Sequence, residues 1–229
     1  MIYKALFFDL DDTLWDFTKN AKEALIEAYD KMHYDRYFDS FDQFYSVYSK
    51  RNAALWVDYR KGLIDKDELN STRFNYPLES VGVFNEELSK EFAAIMFAAV
   101  STKSALLPGA REVLDALSKK YPLYIVSNGF KELQFSKMSS ANISGYFKEV
   151  ILSDIVGALK PSEKIFNFAL KSAAVSPCEA LMIGDDWAAD IVGAKNVGID
   201  QVFLGKLPED AAFTPTYHIN SIVEVLAYL

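Results

Sequence analysis

The stretch Ile2-Tyr3-Lys4-Ala5-Leu6-Phe7-Phe8-Asp9-Leu10-Asp11-Asp12-Thr13 passes from a nearly unbroken apolar run straight into three aspartates. A short run of this kind suits a strand buried on both faces of a parallel sheet, so residues 2–8 predict a strand and 9–13 its exit loop. Comparable runs recur at Leu123-Tyr124-Ile125-Val126, Val150-Ile151-Leu152, Ala180-Leu181-Met182-Ile183 and Gln201-Val202-Phe203-Leu204. Each lies beside a helical pattern at α/β spacing, which predicts an α/β fold with a doubly wound parallel sheet. Ligands in such sheets bind beyond the carboxyl ends of the strands, where Asp9 and Asp11 stand.

From about Asp16 to Ser101 this rhythm stops, and helical patterns follow one another with no convincing strand between them. Ser40 and Gln43 form a capping-box pattern before a long amphipathic run that ends at Gly62; Asp65 and Glu68 repeat the signal, and a further helix is expected over Glu86 to Val100. The sheet resumes after Leu107-Pro108-Gly109. The expected organisation is therefore a core of residues 1–15 and 102–229, with an all-helical insertion at 16–101 whose two crossings form a natural hinge.

The chain has 229 residues, 51% of them hydrophobic, enough for a sizeable core. It holds no apolar run of about eighteen residues and no visible export signal, so a soluble, membrane-free protein is expected. A net charge of −8 without a basic block argues against a nucleic-acid polymer as partner. Cys178 is the lone cysteine, which excludes an internal disulfide and points to a reducing cytoplasm. With only His33 and His218, a histidine-rich zinc centre lacks ligands, and any metal should be held by oxygen. Oligomeric state leaves no mark in the sequence.

Asp9 and Asp11, two apart at a strand end, can converge on a hard cation or simply cap a turn. An EF-hand calcium loop is excluded, because counting from Asp9 its sixth and twelfth positions are Leu14 and Asn20. A second acidic cluster, Gly184-Asp185-Asp186-Trp187-Ala188-Ala189-Asp190, follows another apolar strand and so falls on the same sheet edge. Alone, Asp185 reads equally as a helix N-cap and Asp190 as a solvated helix residue; together the clusters favour a Mg²⁺ site. Ser127-Asn128-Gly129 supplies a hydroxyl, an amide and backbone N–H groups that can reach phosphate oxygens, and Lys160 lies in a loop before Pro161.

With these residues in order, the sequence resembles the haloacid dehalogenase superfamily, in its phosphatase branch with a helical cap inserted after the first motif. The family's D-x-D-x-T corresponds to Asp9–Thr13, its Ser/Thr motif to Ser127, its lysine motif to Lys160, and its G-D-x-x-x-x-D to Gly184–Asp190. The resemblance implies that Asp9 is the nucleophile of an aspartyl-phosphate intermediate, which agrees with an unperturbed aspartate being ionised at neutral pH. Asp11 would act as acid and then base. Mg²⁺ would be bound by Asp9, the Asp11 carbonyl and Asp185; Ser127, nearby backbone amides, Asn128 and Lys160 would hold the phosphate; and Asp190 would support the metal shell or Lys160. The second acid, Asp11, speaks against the dehalogenases of this superfamily.

Substrate choice should lie in the cap. Trp56 and Tyr59, three apart on a helix, read by default as cap core. This segment and Ser127-Asn128-Gly129-Phe130 are nevertheless similar to bacterial pyrimidine 5′-nucleotidases, and an aromatic could stack on a base. A sugar or organic-acid phosphate is the alternative substrate, and a non-catalytic binding module the alternative class.

Overall fold

The computed structural model describes residues 3–229, so Ile2 of the expected first strand lies outside the described residues. Contacts divide the chain into two compact units, one of residues up to Lys19 together with Lys103–Leu229, the other Asn20–Thr102.

The first unit is built on a wholly parallel six-stranded sheet: β1 (Ala5–Phe8), β2 (Leu123–Ser127), β3 (Phe147–Leu152), β4 (Ala180–Gly184), β5 (Asp200–Leu204) and β6 (Tyr217–Ile219), in the order β3-β2-β1-β4-β5-β6. β1 is central, with Phe7 in register with Tyr124 on one side and Met182 on the other. Both its faces are covered, which is why it tolerates no polar residue until Asp9. From β1 the chain moves outward through β2 and β3, returns to β4 on the other flank, and moves outward again. The winding direction thus reverses about β1, the position at which such sheets open a crevice.

Expectation and structure differ at the edges. β3 begins at Phe147, three residues before its apolar run, because Lys148 and Glu149 project from an edge strand into solvent. β6 is three residues long and includes His218, so no apolar run announces it.

In the second unit the helices are α1 (Phe17–Lys31), which begins in the first unit, α2 (Phe41–Arg60), α3 (Lys66–Glu79) and α4 (Glu86–Thr102). Ser40 caps α2 by accepting from the Gln43 amide at 3.2 Å, and Asp65 caps α3 by accepting from Glu68 at 2.8 Å. The box at α2 closes one residue early, since the Gln43 side chain accepts from Asp39 N–H and not from Ser40. An aromatic cluster fills this unit: Tyr34 and Phe92 lie 4.5 Å apart between ring centres, Phe44 packs on Phe92 at 5.3 Å, and Tyr48 on Phe74 at 5.7 Å.

The remaining helices cover the sheet: α5 (Ala110–Leu117), α6 (Lys131–Ser140), α7 (Ser153–Val156), α8 (Glu163–Ala173) and α9 (Val192–Asn196), the last preceded by a π-helical turn at Trp187–Ile191. α8 presents Ile165, Phe166, Ala169 and Leu170, the i, i+1, i+4, i+5 face, to Phe7, Tyr124, Val126 and Met182 of the sheet. Among the described residues no helix is long and apolar enough to cross a membrane, and Cys178 is exposed.

Candidate active site

Three strand ends bring the candidate residues of the core together. Asp9 leaves β1 with its N–H donating to Ile183 O of the neighbouring β4 at 2.9 Å, which fixes the direction in which its carboxylate emerges. Residues 10–15 then fold into a tight turn, closed by Leu14 and Trp15 N–H donating to Leu10 O and by Asp12 N–H donating to Trp15 O. Trp15 also bridges to Leu106, so the outgoing and returning crossings of the helical insertion run side by side.

Lys160 is the hub. It is 2% exposed, and its ammonium donates to Asp9 Oδ1 and to Asp190 Oδ1, each at 2.6 Å. Its backbone is gripped by Asn128, which accepts from Lys160 N–H at 2.7 Å and donates to Lys160 O at 3.0 Å. The Asn128 side chain thereby grips the lysine loop from both ends of its amide. Asp190 is fully buried, not solvated, and its second oxygen accepts from Asp186 N–H at 3.1 Å. Gly184 is needed here because a Cβ at that position would collide with the Asp190 carboxylate.

Asp185 accepts from the Thr13 hydroxyl at 2.8 Å, tying the first acidic motif to the last. The helix cap is its neighbour Asp186, which accepts from Ala188 and Ala189 N–H at 3.0 and 2.9 Å. Carboxylate oxygens of Asp9, Asp185 and Asp190 lie within 4.8 Å of one another. Three carboxylates against one ammonium leave excess negative charge in a largely buried site, a hard-oxygen donor set that fits a divalent cation such as Mg²⁺.

The electrostatics correct one expectation. Asp9 is not an unperturbed carboxyl: burial raises its pKa well above the ordinary value, Lys160 opposes this, and Asp190, Asp185 and Asp11 add to it. Burial and Asp190 push Asp185 up to about 7, and burial raises Asp190 as well. For Lys160, burial works against the charged form, but Asp190 and Asp9 outweigh it and hold the amine above its usual range.

Ser127 ends β2, buried, with its hydroxyl accepting from Gly129 N–H at 3.1 Å and from Gln134 Nε2 at 2.7 Å. The Gly129 amide, expected to face phosphate, is directed at that hydroxyl. Asp11 is held by α6: Lys137 Nζ donates to its two oxygens at 2.8 and 3.0 Å, and Gln134 Nε2 donates to Oδ2 at 3.0 Å. Gln134 and Lys137 escaped the sequence reading. With Met138 they form an i, i+3, i+4 buried face, but lysine and glutamine at such spacing normally read as a solvated side. Trp56 and Tyr59 belong to the helical unit, where their rings meet edge to face at 5.6 Å. Neither ring is fully buried.

Residues 3–198 match the family model for haloacid dehalogenase-like hydrolases. The pyrimidine 5′-nucleotidase YjjG of Escherichia coli is 32% identical, covering 96% of this chain and 95% of that protein. A glyceraldehyde 3-phosphate phosphatase of Pyrococcus abyssi is 36% identical, covering 88% and 81%. The HAD-hydrolase YfnB of Bacillus subtilis, solved bound to magnesium, superposes with a TM-score of 0.89 at 26% identity, covering 100% of this chain and 99% of that one. The chain belongs to the haloacid dehalogenase-like hydrolase family.

Proposed function

We propose that the chain is a magnesium-dependent phosphatase that acts on small phosphate monoesters through an aspartyl-phosphate at Asp9, with nucleoside 5′-monophosphates as preferred substrates. At the level of reaction class it is a phosphoric monoester hydrolase. The observation that carries this reading is the buried Asp9–Lys160–Asp190 triad, with Asp185 converging on it and the second acid Asp11 at the same strand end.

In this reading a carboxylate oxygen of Asp9 bonds to phosphorus as the bond to the leaving oxygen breaks, and Asp11 gives that oxygen its proton. Water then attacks phosphorus, Asp11 takes a proton from it, and the acyl-phosphate bond breaks to release inorganic phosphate and regenerate Asp9. Ser127 and Lys160 bind the phosphate oxygens, and Asn128 holds the Lys160 loop in place. Asp9, the Asp11 carbonyl and Asp185 would hold Mg²⁺, whose charge lessens the repulsion between a carboxylate nucleophile and an anionic substrate.

In this reading the helical unit is the cap that governs substrate choice, with Trp56 and Tyr59, neither of them fully buried, as the candidates to stack on a base. The similarity to YjjG supports a nucleotide, and the similarity to the P. abyssi enzyme supports the second reading, a sugar or organic-acid phosphate. A reducing, cytoplasmic setting fits the single exposed cysteine.

The test is a panel of monophosphates assayed for phosphate release with and without Mg²⁺. Highest kcat/KM on pyrimidine nucleoside monophosphates is expected. A preference for triose or sugar phosphates would transfer the assignment to the second reading, and no magnesium-dependent release from any substrate would leave a non-catalytic binding module.

A further inference from the structure

We propose that Lys137 and Gln134 are positioning residues for the acid–base carboxyl of Asp11, a role that rests on the phosphatase reading above. Lys137 is 3% exposed, and its ammonium is enclosed by aromatic rings: it lies 4.7 Å from the centre of the Trp15 ring and 5.1 Å from that of Phe17. Trp15 comes from the turn that carries Asp11 and Phe17 opens α1 just after it; Trp15 is itself fully buried, with its indole N–H donating to Lys103 O at 3.4 Å. The ammonium thus sits between a fixed aromatic wall and the Asp11 carboxylate, to which it donates twice.

Gln134, one turn earlier on α6 and fully buried, donates from one amide nitrogen to both Asp11 Oδ2 and Ser127 Oγ. It therefore links the acid–base carboxyl to the hydroxyl assigned to phosphate. Gly129 lacks a Cβ because the Gln134 side chain occupies that space.

Packing alone does not explain these residues. An ammonium and a carboxamide are costly to bury, and an apolar side chain such as Met138, on the same face, would fill the volume without that cost. Both polar side chains converge on one carboxyl, which must be aimed to deliver a proton to a leaving oxygen. The structure gives that aim a physical cause: Asp11 is held by three hydrogen bonds from α6, two from lysine and one from glutamine.

The experiment compares kcat/KM, which reports steps up to phosphoryl transfer, for p-nitrophenyl phosphate and for an alkyl monophosphate. The alkyl probe is uridine 5′-monophosphate, or glyceraldehyde 3-phosphate if that is turned over faster. Lys137→Met should lower the alkyl value at least about tenfold more than the aryl value, because the aryl leaving group needs little protonation. Lys137→Arg should restore much of the loss, Gln134→Met should shift the ratio in the same direction, and Lys137→Met should add little in an Asp11→Ala background. Both substrates are measured on one preparation, so any unfolded fraction cancels in the ratio. Equal losses on the two substrates, no loss on either, or full additivity with Asp11→Ala would overturn the inference while leaving the phosphatase reading intact. A wild-type enzyme inactive on both would overturn the two together.

Discussion

At Asp9 burial and charge pull in opposite directions. Burial raises its pKa, and Lys160 at 2.6 Å restrains the rise while Asp190 and Asp185 add to it. A buried carboxylate so placed can serve as the proposed nucleophile only where a cation offsets the negative charge that it and an anionic substrate bring together. Asp9→Asn nearly preserves shape and removes the proposed nucleophile, so kcat should fall below about one-thousandth of wild type while the circular dichroism spectrum stays unchanged; substantial residual turnover would refute the assignment. Asp11→Ala should lower kcat/KM on a nucleoside monophosphate by about 10²- to 10⁴-fold and by much less on p-nitrophenyl phosphate. Equal losses would contradict an acid role. Asp9, Asp11, Ser127 and Asp185 could be picked out from the sequence because each stands at or next to a strand end, and Lys160 and Asp190 only through the company of those motifs. Gln134 and Lys137 could not, because a polar residue on a helix is solvated by default and only the position of α6 buries them.

The secondary-structure elements fix which side chains meet at the site. α8 carries Phe166, wholly buried against the sheet beneath the strand ends, in a face the apolar spacing of its sequence announces. Phe166→Ala should destabilise the fold by about 3–5 kcal/mol, read by urea unfolding at constant m, since the surrounding side chains close a cavity of that size only in part. A loss below about 1 kcal/mol would mean that the α8–sheet interface is not packed as described. The elements hardest to foresee were those with the least apolar content. β6 has three residues, and β3 exposes Lys148 and Glu149 at the sheet edge, where side-chain burial no longer dictates residue type.

For the molecule as a whole, the convergence of carboxylates predicts a stability that depends on pH and, with Mg²⁺ bound as proposed, on cation. Asp185 ordinarily loses its proton near pH 4 when unfolded, but the folded chain retains it up to about 7. The native state therefore binds more protons than the unfolded state across that window, and the contribution of Asp185 to stability falls as pH rises from about 4 to about 7. Magnesium requires the carboxylates deprotonated, so its protection should grow over the same range. The midpoint of thermal unfolding, followed in EDTA and in Mg²⁺ from pH 5 to 8, should show this divergence, with a shallower EDTA slope in Asp185→Asn. A wild-type slope equal to that of Asp185→Asn would contradict it.

The sequence by itself determined the doubly wound parallel sheet and the acidic motifs at the ends of its strands, because central strands must be apolar on both faces and a chain leaving them exposes its next residues at one edge. Tertiary structure alone decided which groups those acids face. Asp9 and Asp190 share Lys160, Asp185 takes the Thr13 hydroxyl, Asn128 grips the lysine loop, and Asp11 turns to Lys137 and Gln134. These partnerships join residues as many as 172 positions apart. Local propensity carries no trace of such pairs, because their energy arises only when folding removes water from both partners at once.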